Sequence, residues 1–420
     1  MMPTRTVDLD ATRERDEALG IYVSVPFCRS KCTYCNFASG VYPAGEHARY
    51  VSRILEELSA AWNWAASAGA ELCPRVDTVY LGGGTPSLLE PALLASLFES
   101  IRAEFDIDPN AEITVECAPG QLPDGVLGAL TRAGVNRVSL GVQSFVDREA
   151  SGSGRLHNRA TVERDLARIR AAGIDNINVD LIAGLAGQTM SSWEDSLDVL
   201  IACGVPHASV YMLEVDEDSR LGRELLAGGT RYGAALAPSE DATAEMYTRA
   251  IERLGAAGIS QYEISNFSRT GFESRHNLRY WLRRPYLGVG LDASSMLRDR
   301  GYFESGGNGW VMRSTTPAEL KAYLEGSASR ETTWLSPARR HEEAWFLGLR
   351  LNAGVNTLEL EREFGRERVE AAMQTAVRLA EDGLMASDGA TVRLTARGRL
   401  ISNEVFLEFL ESKAERPMRA

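Results

Sequence analysis

Tyr22-Val-Ser-Val-Pro-Phe-Cys28-Arg-Ser-Lys-Cys32-Thr-Tyr-Cys35-Asn-Phe37 is the stretch that decides how the rest of the chain is read. It opens on Ile21–Val25, a strand candidate rich in β-branched residues. Three cysteines follow at once, spaced C-x3-C-x2-C. Iron–sulfur clusters are held by cysteine thiolates, usually four of them. Three close together, with no fourth nearby, leave one iron open to a further ligand. The same three thiols could instead hold zinc, completed by a distant histidine. The other cysteines, Cys73, Cys117 and Cys203, are scattered and read as small buried hydrophobes.

Outward from this loop the chain alternates short β-rich runs with longer helical ones. Val76–Leu81, Glu112–Glu116, Arg137–Val142, Asn176–Ile182 and Ala208–Leu213 are further strand candidates. His47–Ala65, Pro91–Glu104, Ala160–Ala172 and Ser191–Ala202 have helical character. That alternation predicts parallel strands with crossover helices. Six such units predict an open, partial barrel with its chemistry on the loops after the strand C-termini. After about residue 260 the pattern changes. Gln261–Phe267 reads as one more strand, and a Gly- and aromatic-rich stretch runs from Arg275 to Gly309. Leu358–Leu384 holds two helices, Thr391–Leu394 a strand and Ala396–Leu410 a final helix, the order of a winged helix. Its mixed charge suits packing or partner docking rather than DNA.

The chain has 420 residues and a net charge of −13, which argues against a general nucleic-acid binder. No apolar run approaches the length of a membrane span. The first twenty residues carry Arg13-Glu-Arg-Asp-Glu17 and lack the apolar core of a signal peptide. A cytoplasmic location is expected, where clustered cysteines bind metal more often than they form disulfides.

Pro26-Phe-Cys-x3-Cys-x-Tyr34-Cys-x-Phe37 resembles the opening of the radical-SAM superfamily. It is most similar to the branch that contains oxygen-independent coproporphyrinogen III dehydrogenase and a heme chaperone. The resemblance spans roughly residues 20–411. It implies an α/β fold, a partial (β/α)6 TIM-like radical-SAM barrel followed by a smaller α+β C-terminal domain with a winged-helix-like end. The expected divisions are an extension at 1–19, a core at 20–258, a linker and pocket region at 259–335, and the C-terminal domain at 336–415. It implies a [4Fe–4S] cluster on Cys28, Cys32 and Cys35, with S-adenosylmethionine (SAM) chelating the open iron.

The resemblance continues at the ends of successive strands. Leu81-Gly-Gly-Gly-Thr85-Pro86 is similar to the family's glycine-rich loop and gives Gly83, Gly84 and Thr85 to the methionine amino group. Glu116 and Gln143 match the family's third- and fourth-strand polar residues. Arg155 suits the SAM carboxylate, and Asp180 suits ribose hydroxyls. Tyr22 and Tyr34 match aromatic positions beside the cluster and adenine.

Two features separate chaperone from dehydrogenase. Phe37 stands where the dehydrogenase resembles an additional cysteine. His276-Asn277-Leu-Arg-Tyr280-Trp281 looks like the HNxxYW motif that the chaperone branch uses for heme, and imidazole is a natural axial ligand of heme iron. The resemblance implies heme, a heme-accepting protein and an electron donor such as a flavodoxin or ferredoxin as partners. No nucleic acid and no transmembrane segment are expected, and peripheral membrane contact stays open. Two departures stand out. The loop Gly184-Leu-Ala-Gly-Gln188 lacks the family's proline, and Ala293-Ser294-Ser295 lacks its histidine.

Overall fold

The computed structural model describes residues 18–410, apart from 215, 216, 218, 230, 301–308 and 328. Nearly all of the expected N-terminal extension therefore lies outside the described residues. So do the last residues of the expected C-terminal domain.

Strand β1 (Leu19–Val25) is followed by β2 (Arg75–Gly83), β3 (Asp106–Cys117), β4 (Arg137–Gln143), β5 (Asn176–Ala183) and β6 (His207–Met212). Each pairs parallel with its predecessor. Helices at Glu46–Ser67, Pro91–Glu104, Asp124–Arg132, Arg159–Ala171 and Met190–Ala202 make the crossovers. The six expected strands are all present.

Side chains on a strand alternate between faces. Val79, Leu81, Ile113, Val115, Val138, Leu140, Val142, Ile177, Val179, Leu181, Ala208 and Val210 join the helices in one hydrophobic core. The opposite face carries Thr78, Tyr80, Glu112, Thr114, Glu116, Arg137, Ser139, Asn178, Asp180, His207 and Ser209. The sheet thus turns its apolar face to the helices and its polar face to the interior.

The sheet does not close. Beyond β1 it continues through β8 (Tyr286–Val289), which is parallel to β1. It then runs on through antiparallel β9 (Ser294–Asp299), β10 (Val311–Thr315) and β11 (Glu331–Leu335). Beyond β6 lies antiparallel β7 (Asn266–Ser268). The expected strand Gln261–Phe267 is two short pieces, Ser260–Gln261 and Asn266–Ser268. The stretch from Arg275 holds the helix Arg275–Trp281 and adds strands to the main sheet.

The C-terminal part has its own core around Trp345, Phe364, Leu379 and Phe409. Helices Pro337–Gly348, Thr357–Phe364 and Arg366–Glu381 surround a three-stranded sheet of Val355–Asn356, Thr391–Leu394 and Met385–Asp388. The expected single helix over Ala396–Leu410 is broken. It forms as Ala396–Leu400 and Ser402–Leu407, because Ile401 leaves the helical region with φ −120° and ψ 37°.

Candidate functional site

The cysteine loop leaves β1 and is pinched at its base. Cys28 N–H donates to the Gly40 carbonyl and Gly40 N–H to that of Pro26, both at 2.9 Å. Its middle is tied to two other loops. Thr33 N–H donates to the Ser153 carbonyl at 3.1 Å, and the Thr33 carbonyl accepts from Leu221 N–H at 2.8 Å. Cys28, Cys32 and Cys35 are all half-buried. Hydroxyls lie beside two of the sulfurs, Thr85 Oγ1 at 3.9 Å from Cys28 Sγ and Ser39 Oγ at 3.7 Å from Cys35 Sγ. Burial pushes the Cys28 thiol up, against the hydrogen bonds from Ser39 and Thr85. Among the described residues no three His, Cys, Asp or Glu side chains converge on one metal ion. A single ion draws its ligands to a point, whereas a four-iron cube takes each thiolate on a separate iron.

The glycine loop packs under this one. Thr85 N–H donates to the Phe27 carbonyl at 2.8 Å. A Cβ on Gly84 would lie 2.6 Å from the Val25 carbonyl oxygen, so only glycine allows this approach. Gly83 has φ +94°, a conformation open chiefly to glycine. Its N–H donates to Glu116 Oε2 at 3.1 Å.

Glu116 and Gln143 stand at the C-terminal ends of β3 and β4, and Asp180 stands within β5. Glu116 Oε1 also accepts from the Tyr80 hydroxyl at 2.8 Å, and Tyr80 stacks on Tyr22 at 6.0 Å. Burial pushes Glu116 up to about 7, although Tyr80 and Gly83 donate to it. Asp180 is also raised by burial. It accepts from Asn178 Nδ2 at 2.7 Å and Ser139 Oγ at 3.2 Å. Gln143 is buried with φ 71°, a strained backbone for a non-glycine residue. Arg155 donates to the Tyr34 hydroxyl at 3.1 Å, and its Nε has no partner. Two carboxylates and a guanidinium with an unused buried donor therefore gather beside the three thiols.

An unfolded glutamate titrates near 4.3, so a folded value near 7 means that stability is full at low pH and falls as pH rises through that window. Glu116→Gln keeps an acceptor for Gly83 N–H and removes the charge. We expect it to raise the melting temperature of ligand-free protein by roughly 2 °C or more at pH 8 and to leave it near wild type at pH 5. A variant less stable than wild type at pH 8 in thermal denaturation would contradict this.

The His276 motif lies beside this group, toward the N-terminal end of the strands. Its helix packs against the N-terminal half of β2, and the His276 ring lies 6.4 Å from that of Tyr22. Ser274 Oγ caps it by accepting from Asn277 N–H, and Glu112 accepts from the N–H groups of Arg275 and His276 at 3.0 and 2.9 Å. Arg279, inside the motif, is buried against Asp77 and donates to the carbonyls of Ala18 and Pro285. His276 is 1% exposed. Its Nδ1 meets Thr78 Oγ1 at 2.9 Å and its Nε2 meets the Tyr280 hydroxyl at 2.8 Å. Burial, with Arg279 and Arg137 nearby, holds its basicity well below the usual range. The ring stacks on Tyr80 at 5.2 Å, so Tyr80 touches both groups of residues. Trp281 lies under the Arg350 guanidinium at 4.2 Å.

The structure thus brings Tyr22, Tyr34, Gly83, Gly84, Thr85, Glu116, Gln143, Arg155 and Asp180 to the cysteine end. It places His276, Asn277, Tyr280 and Trp281 at the floor. Sequence reasoning missed Tyr80, Thr78, Glu112 and Asn178, although the two-residue alternation puts them on the polar face. At the departures, Ala186 stands in place of proline, and Gln188 holds the loop, its Oε1 accepting from Gly184 and Leu185 N–H at 2.7 and 3.1 Å. Ser294 is exposed and pairs with Thr315 across the sheet at 3.0 Å.

A model of the radical SAM superfamily matches residues 22–200, and one of the HemN C-terminal domain matches residues 335–401. The heme chaperone HemW of Bacillus subtilis is 34% identical over 395 residues, covering 93% of this chain and 98% of that one. The chain belongs to the radical SAM superfamily, in the branch of the HemW proteins. The HemW of Lactococcus lactis is 32% identical, covering 93% of this chain and 96% of its own length. Coproporphyrinogen III oxidase (HemN) from Escherichia coli shares the fold, with a TM-score of 0.77 and 23% identity over 94% of this chain and 90% of that one.

Membership of the radical SAM superfamily implies a [4Fe–4S] cluster and SAM. The residues fit both: a pinned three-thiol loop with no fourth cysteine in it, and next to it carboxylates and an unsatisfied guanidinium suited to an amino acid and a ribose.

Proposed function

We propose that this chain is a heme chaperone that binds heme and passes it to a recipient protein. The observation that carries this reading is end-to-end similarity to several proteins named heme chaperone HemW. Phe37 supports it. This residue is 64% exposed at the edge of the cysteine loop and offers no thiol where the dehydrogenase has one.

In this reading Cys28, Cys32 and Cys35 hold the cluster. Gly83, Gly84, Thr85, Glu116, Gln143, Arg155 and Asp180 hold SAM, with Tyr22 and Tyr34 beside it. The bound cluster supplies one-electron chemistry at the SAM sulfonium. The protein's own residues orient and shield. Arg155 meets a carboxylate, Asp180 accepts from ribose hydroxyls, and the buried interior excludes water. The electron comes from a flavodoxin- or ferredoxin-like donor. The division into a core, a region at 259–335 and a C-terminal domain belongs to the same reading, as does a cytoplasmic location. No helix among the described residues is long and apolar enough to cross a membrane.

His276 is the proposed axial ligand, with Asn277, Tyr280 and Trp281 around the macrocycle. A neutral imidazole has the lone pair that iron requires. Here both ring nitrogens are hydrogen-bonded, Nδ1 with Thr78 and Nε2 with Tyr280, so binding iron requires one of these contacts to break and the floor to open. Heme titration tests the reading. Wild-type protein is expected to shift the Soret band at one heme per chain, and His276→Ala to weaken binding or change the spectrum. Absence of binding by wild-type protein overturns the reading. Binding that ignores His276 removes only its ligand role.

The second reading is coproporphyrinogen dehydrogenase, favoured by the HemN C-terminal domain match and the HemN fold. Product from coproporphyrinogen III would establish it.

A further inference from the structure

The interior polar face holds one continuous hydrogen-bond chain between the two sites. Asp180 Oδ1 accepts from Asn178 Nδ2 at 2.7 Å. Asn178 Oδ1 faces His207 Nδ1 at 2.6 Å, and His207 Nε2 faces the Tyr262 hydroxyl at 2.9 Å. The Tyr262 oxygen accepts from Ser274 N–H at 3.1 Å. Ser274 is the N-cap of the His276 helix. The linking side chains of His207 and Asn178 are buried, 0% and 3% exposed, and that of Tyr262 is half-buried.

The ends of this chain fix every proton in it. An ionised Asp180 only accepts, so the Asn178 atom facing it is the amide nitrogen and the atom facing His207 is the oxygen. His207 Nδ1 therefore carries the proton. Burial keeps His207 neutral, with its basicity well below the usual range, so Nε2 accepts. Tyr262 must then donate to His207, which leaves its oxygen free to accept from the backbone of Ser274. All four bonds point the same way, from the helix cap to the carboxylate. Aligned bonds in a low-dielectric interior polarise one another, and the anion at the end anchors the set.

We propose that His207 and Tyr262 are positioning residues that couple the Asp180 carboxylate to the N-terminus of the His276 helix, so that a ligand on Asp180 changes how firmly that helix is held. This deepens the proposed function, and it rests on Asp180 taking the SAM ribose. A ribose diol donates to Asp180 and competes with Asn178 for its lone pairs. That weakens the last link, and the loss passes back to Ser274. The helix that must move to expose His276 is then looser when SAM is bound. By linkage, heme would in turn strengthen SAM binding.

Amide hydrogen exchange across residues 274–282 is the test, because it needs no heme. Tyr262→Phe keeps the ring and removes the hydroxyl. In ligand-free protein, Asp180→Asn and Tyr262→Phe should each speed exchange of the Ser274 and Asn277 amides about threefold or more. The double variant should be no faster than Tyr262→Phe alone, the non-additivity of one shared path. SAM added to cluster-loaded wild type should speed the same amides, and Tyr262→Phe should abolish that response while keeping its SAM affinity within about twofold. Additive effects, or a SAM response that survives Tyr262→Phe, would overturn the proposal. So would unchanged exchange in Asp180→Asn. Lack of SAM binding by wild type would instead fault the placement of SAM, and the ligand-free cycle would still decide the coupling.

Discussion

Replacing any one of Cys28, Cys32 or Cys35 by Ala is expected to abolish the iron–sulfur cluster. Anaerobic reconstitution of wild-type protein should give about four irons per chain, as a cluster with an open corner requires. Each cysteine supplies one thiolate, and the loop has no spare. Its backbone is pinned at Phe27, Thr33 and Gly40 by bonds that do not involve the sulfurs, so the variants should fold and still lack iron. Cys73, Cys117 and Cys203 lie outside the loop, and replacing them should leave the iron content unchanged. Cys117 is buried in the core under the helices, so its variant is read for iron per folded chain. A colourless protein holding zinc would contradict the assignment.

Asp180→Ala and Arg155→Ala are expected to weaken SAM binding about ten- to a hundredfold while the cluster remains. Loss of one charged hydrogen-bond partner costs roughly 1.5–3 kcal/mol, which corresponds to that range in affinity. Arg155 also holds Tyr34 within the cysteine loop. Lys at this position keeps a charge but loses the paired donors, and should restore only part of the affinity. Equilibrium dialysis with labelled SAM measures this directly. Unchanged affinity in both variants would show that SAM binds elsewhere.

The parallel core was legible because its strands obey a two-residue alternation and each is followed by a helical run. Asn176–Ala183 shows it plainly, with Ile177, Val179 and Leu181 toward the helices and Asn178 and Asp180 inward. The strands of 286–335 were not legible. Each is four to six residues long, and only pairing across long sequence separations orders them. The break at Ile401 was hidden because the helical periodicity runs through it. The residues proposed for SAM came from the family resemblance, and the parallel strands carry Glu116, Gln143 and Asp180 on neighbouring strands of one sheet. The position of His276 was not legible. Periodicity assigns a face but not a depth, and only the contacts with Thr78 and Glu112 place this helix at the floor. Its two occupied ring nitrogens are likewise invisible in the motif, and the proposed role as iron ligand requires one of them to be released.

Chaperone and dehydrogenase make opposite demands on one sample. Anaerobically reconstituted wild-type protein should be divided, one half titrated with heme and the other incubated with SAM, a reductant and coproporphyrinogen III. The chaperone reading predicts a Soret shift saturating at one heme per chain and no decarboxylated product. Robust porphyrinogen turnover without heme binding would contradict it.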